Sequence, residues 1–150
     1  MGRSDHNHNG YSLLELAVAL AIFSTLLLIS VPHIHHAVKR YQTAQFLEQL
    51  TNDLSLVAAE ARAKKGAAYL SVVPNSRSYY ISFNGVRRPM VFAPNGMTFT
   101  SNFNDDRLWF RIDGQVSQGG TFKLLERNGR GYHIVVQLSS GCFDVRSATQ

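Results

Sequence analysis

The sequence predicts an α+β protein in which a long N-terminal helix, transmembrane over its first half, packs on a C-terminal antiparallel β-sheet domain. Three observations lead there. Leu16 through Val38 contains no Asp, Glu, Lys or Arg. Apolar residues then recur at three- and four-residue spacing, with no Gly or Pro from Val38 to Lys65. After Gly66 the hydrophobic period changes from that of a helix to two.

The uncharged run, as helix, covers about 35 Å and exceeds the ~30 Å hydrocarbon core of a bilayer. Pro32 sits inside it; proline cannot donate its N–H and crowds the preceding turn, so a bend is expected there. Ser12-Leu13-Leu14-Glu15 fits a capping box, with Ser12 accepting the Glu15 N–H and Glu15 reaching back to the Ser12 N–H. A carboxylate one turn inside a membrane helix costs on the order of 2–3 kcal/mol at mid-membrane, less near an end, unless it is paired. Glu15 therefore calls for a cationic partner as well as a cap.

Gly10-Tyr11-Ser12-Leu13-Leu14-Glu15, followed at once by the apolar run, resembles the class III signal of type IV pilins and pseudopilins. That box, G-[FY]-[ST]-L-x-E, is read by prepilin peptidase. The resemblance implies a leader over residues 1–10, cleavage between Gly10 and Tyr11, and methylation of the new N-terminus at Tyr11. Glu15 would then pair with a freed ammonium and register an incoming subunit during filament assembly. Pro32 falls at the twenty-second place of the processed chain, where the family commonly carries proline.

Two other readings compete for this segment. A conventional secretory signal wants a basic start, a shorter apolar core and small residues before the cut; Leu28-Ile29-Ser30 lacks that character. An uncleaved single-pass anchor is the other. Charge alone orients the chain opposite to the motif, because Lys39 and Arg40 flank one end while the leader offers Arg3 against Asp5. The resemblance implies that the globular part lies outside the cytoplasm.

Residues 39–66 continue as an amphipathic helix. Phe46, Leu47, Leu50, Leu54, Val57, Ala58 and Ala61 form one stripe, and Gln42, Gln45, Gln49, Asn52 and Asp53 hold much of the other side. Lys64-Lys65-Gly66 closes the helix with cations and a glycine. From Leu13 to Lys65 the helix would run roughly 80 Å at 1.5 Å per residue. Apolar all round and then apolar on one stripe, it is a rod for two solvents. Neighbours in a filament would have to cover its first half outside the membrane.

Residues 67–150 read as an antiparallel β domain of short strands. Candidates are 68–73, 78–83, 90–93, 97–101, 107–112, 121–125, 132–137 and 142–146. Asn84-Gly85 is a strong type I′ hairpin signal, and Pro74–Arg77, Pro94–Gly96, Asp113-Gly114, Gly119-Gly120 and Asn128–Gly131 mark further turns. Leu108, Phe110 and Ile112 alternate with Arg107, Trp109 and Arg111. The stretch from Trp109 through Gly119-Gly120-Thr121 to Gly141 resembles minor pseudopilins of the GspH/FimT-like group, including the competence-pilus subunit of the ComGD kind.

One anchor and one small domain fit within 150 residues. Cys142 is the only cysteine, which excludes an intramolecular disulfide and favours a buried small hydrophobe. No cofactor is implied, and no P-loop, nucleophile elbow, H-E-x-x-H or paired-carboxylate pattern supports an enzyme. His33 and His36 share a helix face, but His35 points elsewhere and no Cys or carboxylate lies near, so no metal site is expected.

Charge is uneven. Residues 11–60 carry a net of −2, and residues 61–150 carry +7. The cationic domain favours polyanions. Lys123, Arg127, Arg130 and Arg146 are the candidate nucleic-acid contacts, with Tyr132 and Phe143 nearby; Arg77, Arg87 and Arg88 lie beside Tyr79 and Tyr80. The competing reading is that these are solvated charges that discourage edge pairing.

The expected function is a minor pilin or pseudopilin, processed by prepilin peptidase and assembled with other subunits into a transformation (competence) pilus that takes up DNA. A minor pseudopilin of type II secretion, or an uncleaved single-pass protein with a cationic binding domain, are the alternatives. Membrane lipid surrounds the helix before assembly, and the cell-surface filament does so after.

Overall fold

The computed structural model describes residues 12–64, 66–138 and 143–148, the side chains of residues 29–33 excepted. The chain divides into two compact units, Met1–Arg40 and Tyr41–Gln150.

One helix, α1, covers Leu13–Lys64. In the first unit its described side chains are exposed: Leu14, Leu16, Val18, Leu20, Ile22, Phe23, Leu26, Leu27 and Leu28 all stand open. The two hydroxyls in this stretch turn inward, Ser24 donating to the Leu20 carbonyl at 2.8 Å and Thr25 to the Ala21 carbonyl at 2.6 Å. Their polarity is thereby satisfied within the helix, which suits an apolar surround. Among the described residues no helix is long and apolar enough to cross a membrane. The described apolar stretch, residues 13–28, spans only about 24 Å. The spanning role expected for residues 11–38 therefore rests on the sequence. Backbone at Pro32 is helical, and its side chain lies outside the described residues.

In the second unit α1 behaves as the stripe predicts. Phe46, Leu50, Leu54, Val57, Ala58 and Ala61 are buried, Leu47 is half-buried, and Thr43 extends the stripe by one turn. Glu60 and Lys64 pair at 2.8 Å across the last turn, the favourable order for a helix end.

The β domain holds two antiparallel sheets. In the first, β1 (Ala68–Val73) lies between β2 (Ser78–Phe83) and β6 (Arg107–Phe110), and β3 (Val86–Arg87) and β4 (Val91–Phe92) both pair with β2. In the second, β5 (Met97–Ser101), β7 (Gly120–Glu126), β8 (Gly131–Val136) and β9 (Phe143–Ala148) follow in order. A short 3-10 turn covers Pro74–Ser76 and another Asn104–Asp106. The eight candidate strands thus appear as nine among the described residues, divided between two sheets. The chain crosses from the first sheet to the second at Pro94-Asn95-Gly96, where β5 joins β7, and returns to the first for β6 before β7.

Local chemistry explains the turns. Asn84 (φ 47°) and Gly85 (φ 84°) both take positive φ, the requirement of a type I′ turn, and they join Phe83 to its partner Val86. Gly120 is glycine for want of room: a Cβ there would run into the Phe103 ring and the Asn102 carboxamide. That carboxamide accepts the Thr121 N–H at 2.7 Å, locking the Gly119-Gly120-Thr121 step in place.

A single core joins both sheets to α1. Phe46 meets Tyr79 and Phe99 edge-on at 5.8 and 5.3 Å between ring centres, Phe99 stacks on Phe122 at 5.8 Å, and Phe122 meets Phe103 at 4.7 Å. Leu50, Leu54, Leu70, Leu108, Leu124 and Ile134 fill the spaces between. Ile112, expected to share a face with Leu108 and Phe110, is exposed because β6 stops at Phe110.

Candidate assembly and polyanion sites

Of the residues expected from the sequence to serve cleavage and assembly, Glu15 stands in the first turn of α1. Gly10 and Tyr11 lie outside the described residues. Ser12 Oγ accepts the Glu15 N–H at 3.1 Å, one half of the expected capping box. The Glu15 carboxylate is exposed, and among the described residues it has no ion pair or hydrogen bond. An acid at a helix N-terminus is favoured by the helix dipole, yet it remains free to take a charged partner. His35 and His36 are exposed on the same helix, and the side chain of His33 lies outside the described residues.

The cationic residues resolve into three groups. Lys123 on β7 stands opposite His133 on β8, and His133 stands opposite Arg146 on β9. All three face away from the core, because their neighbours Phe122, Leu124 and Ile134 point into it. At ~4.8 Å between strands the row spans about 10 Å. Arg127 and Arg130 are exposed on the β7–β8 turn, at the strand ends and outside the row. That turn is held by the Gly129 and Arg130 N–H groups, donating to Glu126 O and Asn128 Oδ1, each at 2.9 Å. Arg146 is partly spoken for, its Nε lying 2.8 Å from Asp144 Oδ2. Tyr132 is half-buried on the core side, so it offers no free ring to the row.

Sequence reasoning missed His133. The alternation of β8, with Ile134 and Val136 inward, was the signal for its outward position; only the register shows that it bridges Lys123 and Arg146.

The third group lies on the first sheet. Arg87 and Arg107 sit over the rings of Tyr80 and Tyr69 at 4.8 and 5.4 Å, and Arg88 sits over Phe83 at 5.3 Å. Tyr79, grouped with these arginines in the sequence, points the other way. It is fully buried, and its hydroxyl donates to Asp53 Oδ2 at 2.8 Å. Burial above all, then the hydrogen bond to Asp53 and its charge, push the Tyr79 phenol far above its ordinary range.

A long helix with an exposed apolar start and a β domain packed on its second half is a pilin-like fold. Comparison with known proteins agrees. Residues 5–31 match the prokaryotic N-terminal methylation motif. The fold is similar to that of the minor pseudopilin EpsH from the type 2 secretion system of Vibrio cholerae, with a TM-score of 0.57 at 10% identity over 71% of this chain and 97% of that one. It is equally similar to the type IV minor pilin FimU of Pseudomonas aeruginosa strain PAO1, with a TM-score of 0.57 at 15% identity over 71% of this chain and 90% of that one. A second crystal form of FimU gives a TM-score of 0.51 at 17% identity over 69% and 91% of the two chains. No curated protein matches the chain in sequence.

Proposed function

We propose that the chain is a minor pilin or pseudopilin made as a membrane-anchored prepilin, cut after Gly10, methylated on Tyr11 and built into a transformation pilus that draws in DNA. The observation that carries the subunit reading is the apolar start of α1, its described side chains exposed and including a single acid, Glu15. Such a surface is stable only in lipid or among neighbours of the same kind. Cleavage would create an ammonium at Tyr11, and Glu15 of an adjoining subunit would neutralise it. A bend at Pro32 would help the helix pass from lipid to filament.

The row Lys123–His133–Arg146, with Arg127 and Arg130 on the neighbouring turn, supports the DNA reading. Cations in a line on a rigid sheet can neutralise successive phosphates, and a filament multiplies weak sites through effective concentration. The test is retention of a duplex DNA fragment by the full chain in neutral detergent micelles, measured against salt. Replacing Lys123 and Arg146 with Gln is expected to lower the slope of log K against log salt by roughly 1.8 if both meet phosphates. An unchanged slope would remove Lys123 and Arg146 as DNA contacts, and no retention at all would favour the secretion reading. The similarity to EpsH, a type 2 secretion pseudopilin, is what favours that second reading.

A further inference from the structure

The outer face of the first sheet is the most unusual surface of the β domain. Cross-strand register puts Arg87, Ser82, Tyr69 and Trp109 in one row across β3, β2, β1 and β6. A second row holds Tyr80, Ser71 and Arg107. This face is not a loose polar skin. Tyr80 is only 5% exposed, Ser82 is fully buried and Ser71 nearly so. They are covered by their own neighbours: Tyr69 packs on Trp109 at 4.5 Å and on Tyr80 at 6.3 Å, and the two guanidiniums lie over Tyr80 and Tyr69.

The arginines are thus held in place by ring contacts rather than by acids. Among the described residues neither guanidinium has an ion pair or a hydrogen bond. The nearest acid along the chain, Asp106, is engaged by the Ser101 hydroxyl at 2.7 Å. Both cations also act on one point. The Ser82 hydroxyl, against the opposing pull of burial and with Tyr80, Arg107 and Arg87 adding to it, holds the Tyr69 phenol below its ordinary range.

Two preoriented guanidinium forks without a carboxylate match planar two-oxygen anions. Tyrosine, tryptophan and arginine are also the residues that dominate binding at protein interfaces. Base stacking needs a free ring face. Here the rings cover one another and lie beneath the arginines, leaving Trp109, 38% exposed, as the most open ring of the face. We propose that this face, Tyr69, Tyr80 and Trp109 capped by Arg87 and Arg107, docks a carboxylate-bearing segment of a partner protein. It is separate from the cationic row of the second sheet and stands whether or not that row binds DNA.

Trp109 is the only tryptophan of the chain, so its emission reports on this face. The experiment titrates the full chain, in neutral detergent micelles at low salt, with an oligoglutamate peptide and with an oligothymidylate of equal charge. Oligoglutamate is expected to change Trp109 emission saturably. Arg87→Gln with Arg107→Gln should raise its apparent Kd roughly tenfold or more. Arg127→Gln with Arg130→Gln, an equal loss of charge elsewhere, should leave that Kd within about twofold, as expected for distant sites. Arg87→Lys with Arg107→Lys keeps the charge and the fold but loses the planar fork, and should weaken binding. No emission change, equal weakening by both Gln pairs, full affinity in the Lys pair, or tighter saturable quenching by oligothymidylate would each overturn the proposal.

Discussion

Tyr79→Phe separates packing from polar chemistry at the heart of the domain. The ring contacts with Phe46 and Phe99, both at 5.8 Å, should survive the change. What is lost is one hydrogen bond to an ionised acceptor, 2.8 Å long. Such bonds contribute about 1.5–3 kcal/mol; Asp53 is half-buried and regains some water, so the expected cost near neutrality is about 1–2 kcal/mol. Alkaline pH then reverses the order. The unfolded chain ionises its tyrosines above about pH 10, while burial and Asp53 keep the folded Tyr79 protonated well beyond that. A folded pKa raised above the unfolded value stabilises the protonated range and is lost as pH rises, here by about 1.4 kcal/mol per pH unit above roughly 10. Phenylalanine has no proton to lose. Tyr69, whose phenol is held low and so acts with the opposite sign, is present in both proteins and cancels in the comparison. The two stability curves should therefore converge and cross near pH ~11. Denaturant midpoints of the full chain in neutral detergent, followed by Trp109 fluorescence between pH 7 and 12, supply the measurement. Equal stability at neutral pH, or curves that stay parallel through pH 12, would refute the reasoning.

Leu54→Ala, at a fully buried position of the stripe, should cost about 2–5 kcal/mol through a cavity between α1 and the sheets, read as a shift in denaturant midpoint. Gly120→Ala has no room beside Phe103 and should lower stability by about 1–3 kcal/mol; the same midpoint measurement shows it. Glu15→Val should be processed and stay in the membrane yet fail to enter filaments, and fractionation of sheared filaments distinguishes this from a residue that only caps a helix. Gly10→Ala should leave less of the cut form in the presence of prepilin peptidase, as an immunoblot of the two chain lengths would show.

Much of the fold was legible because its signals are local. The stripe from Phe46 to Ala61 needs only the helical period, and burial follows it residue by residue. Asn84-Gly85 needs only the positive-φ rule, and both residues obey it. The division into two sheets was not legible. Whether Met97–Ser101 continues beside β2 or joins β7 depends on contacts far apart in sequence, which alternation does not encode. The same limit hid the row through His133, since register decides which cations meet. The sequence grouped Tyr79 with Tyr80 beside the arginines, and only the structure sends the two to opposite faces and gives each its partner. Asp53 for one and Arg87 for the other come from elements distant along the chain.

A processed subunit would begin its apolar helix with a new amine at Tyr11, available to neutralise Glu15 of an adjoining subunit. Mass spectrometry of the N-terminal peptide from membrane-extracted native protein tests it most directly. The expected result is a chain beginning at Tyr11 with a methylated α-amine. A chain still carrying Met1 through Gly10, with no methyl group at Tyr11, would contradict it.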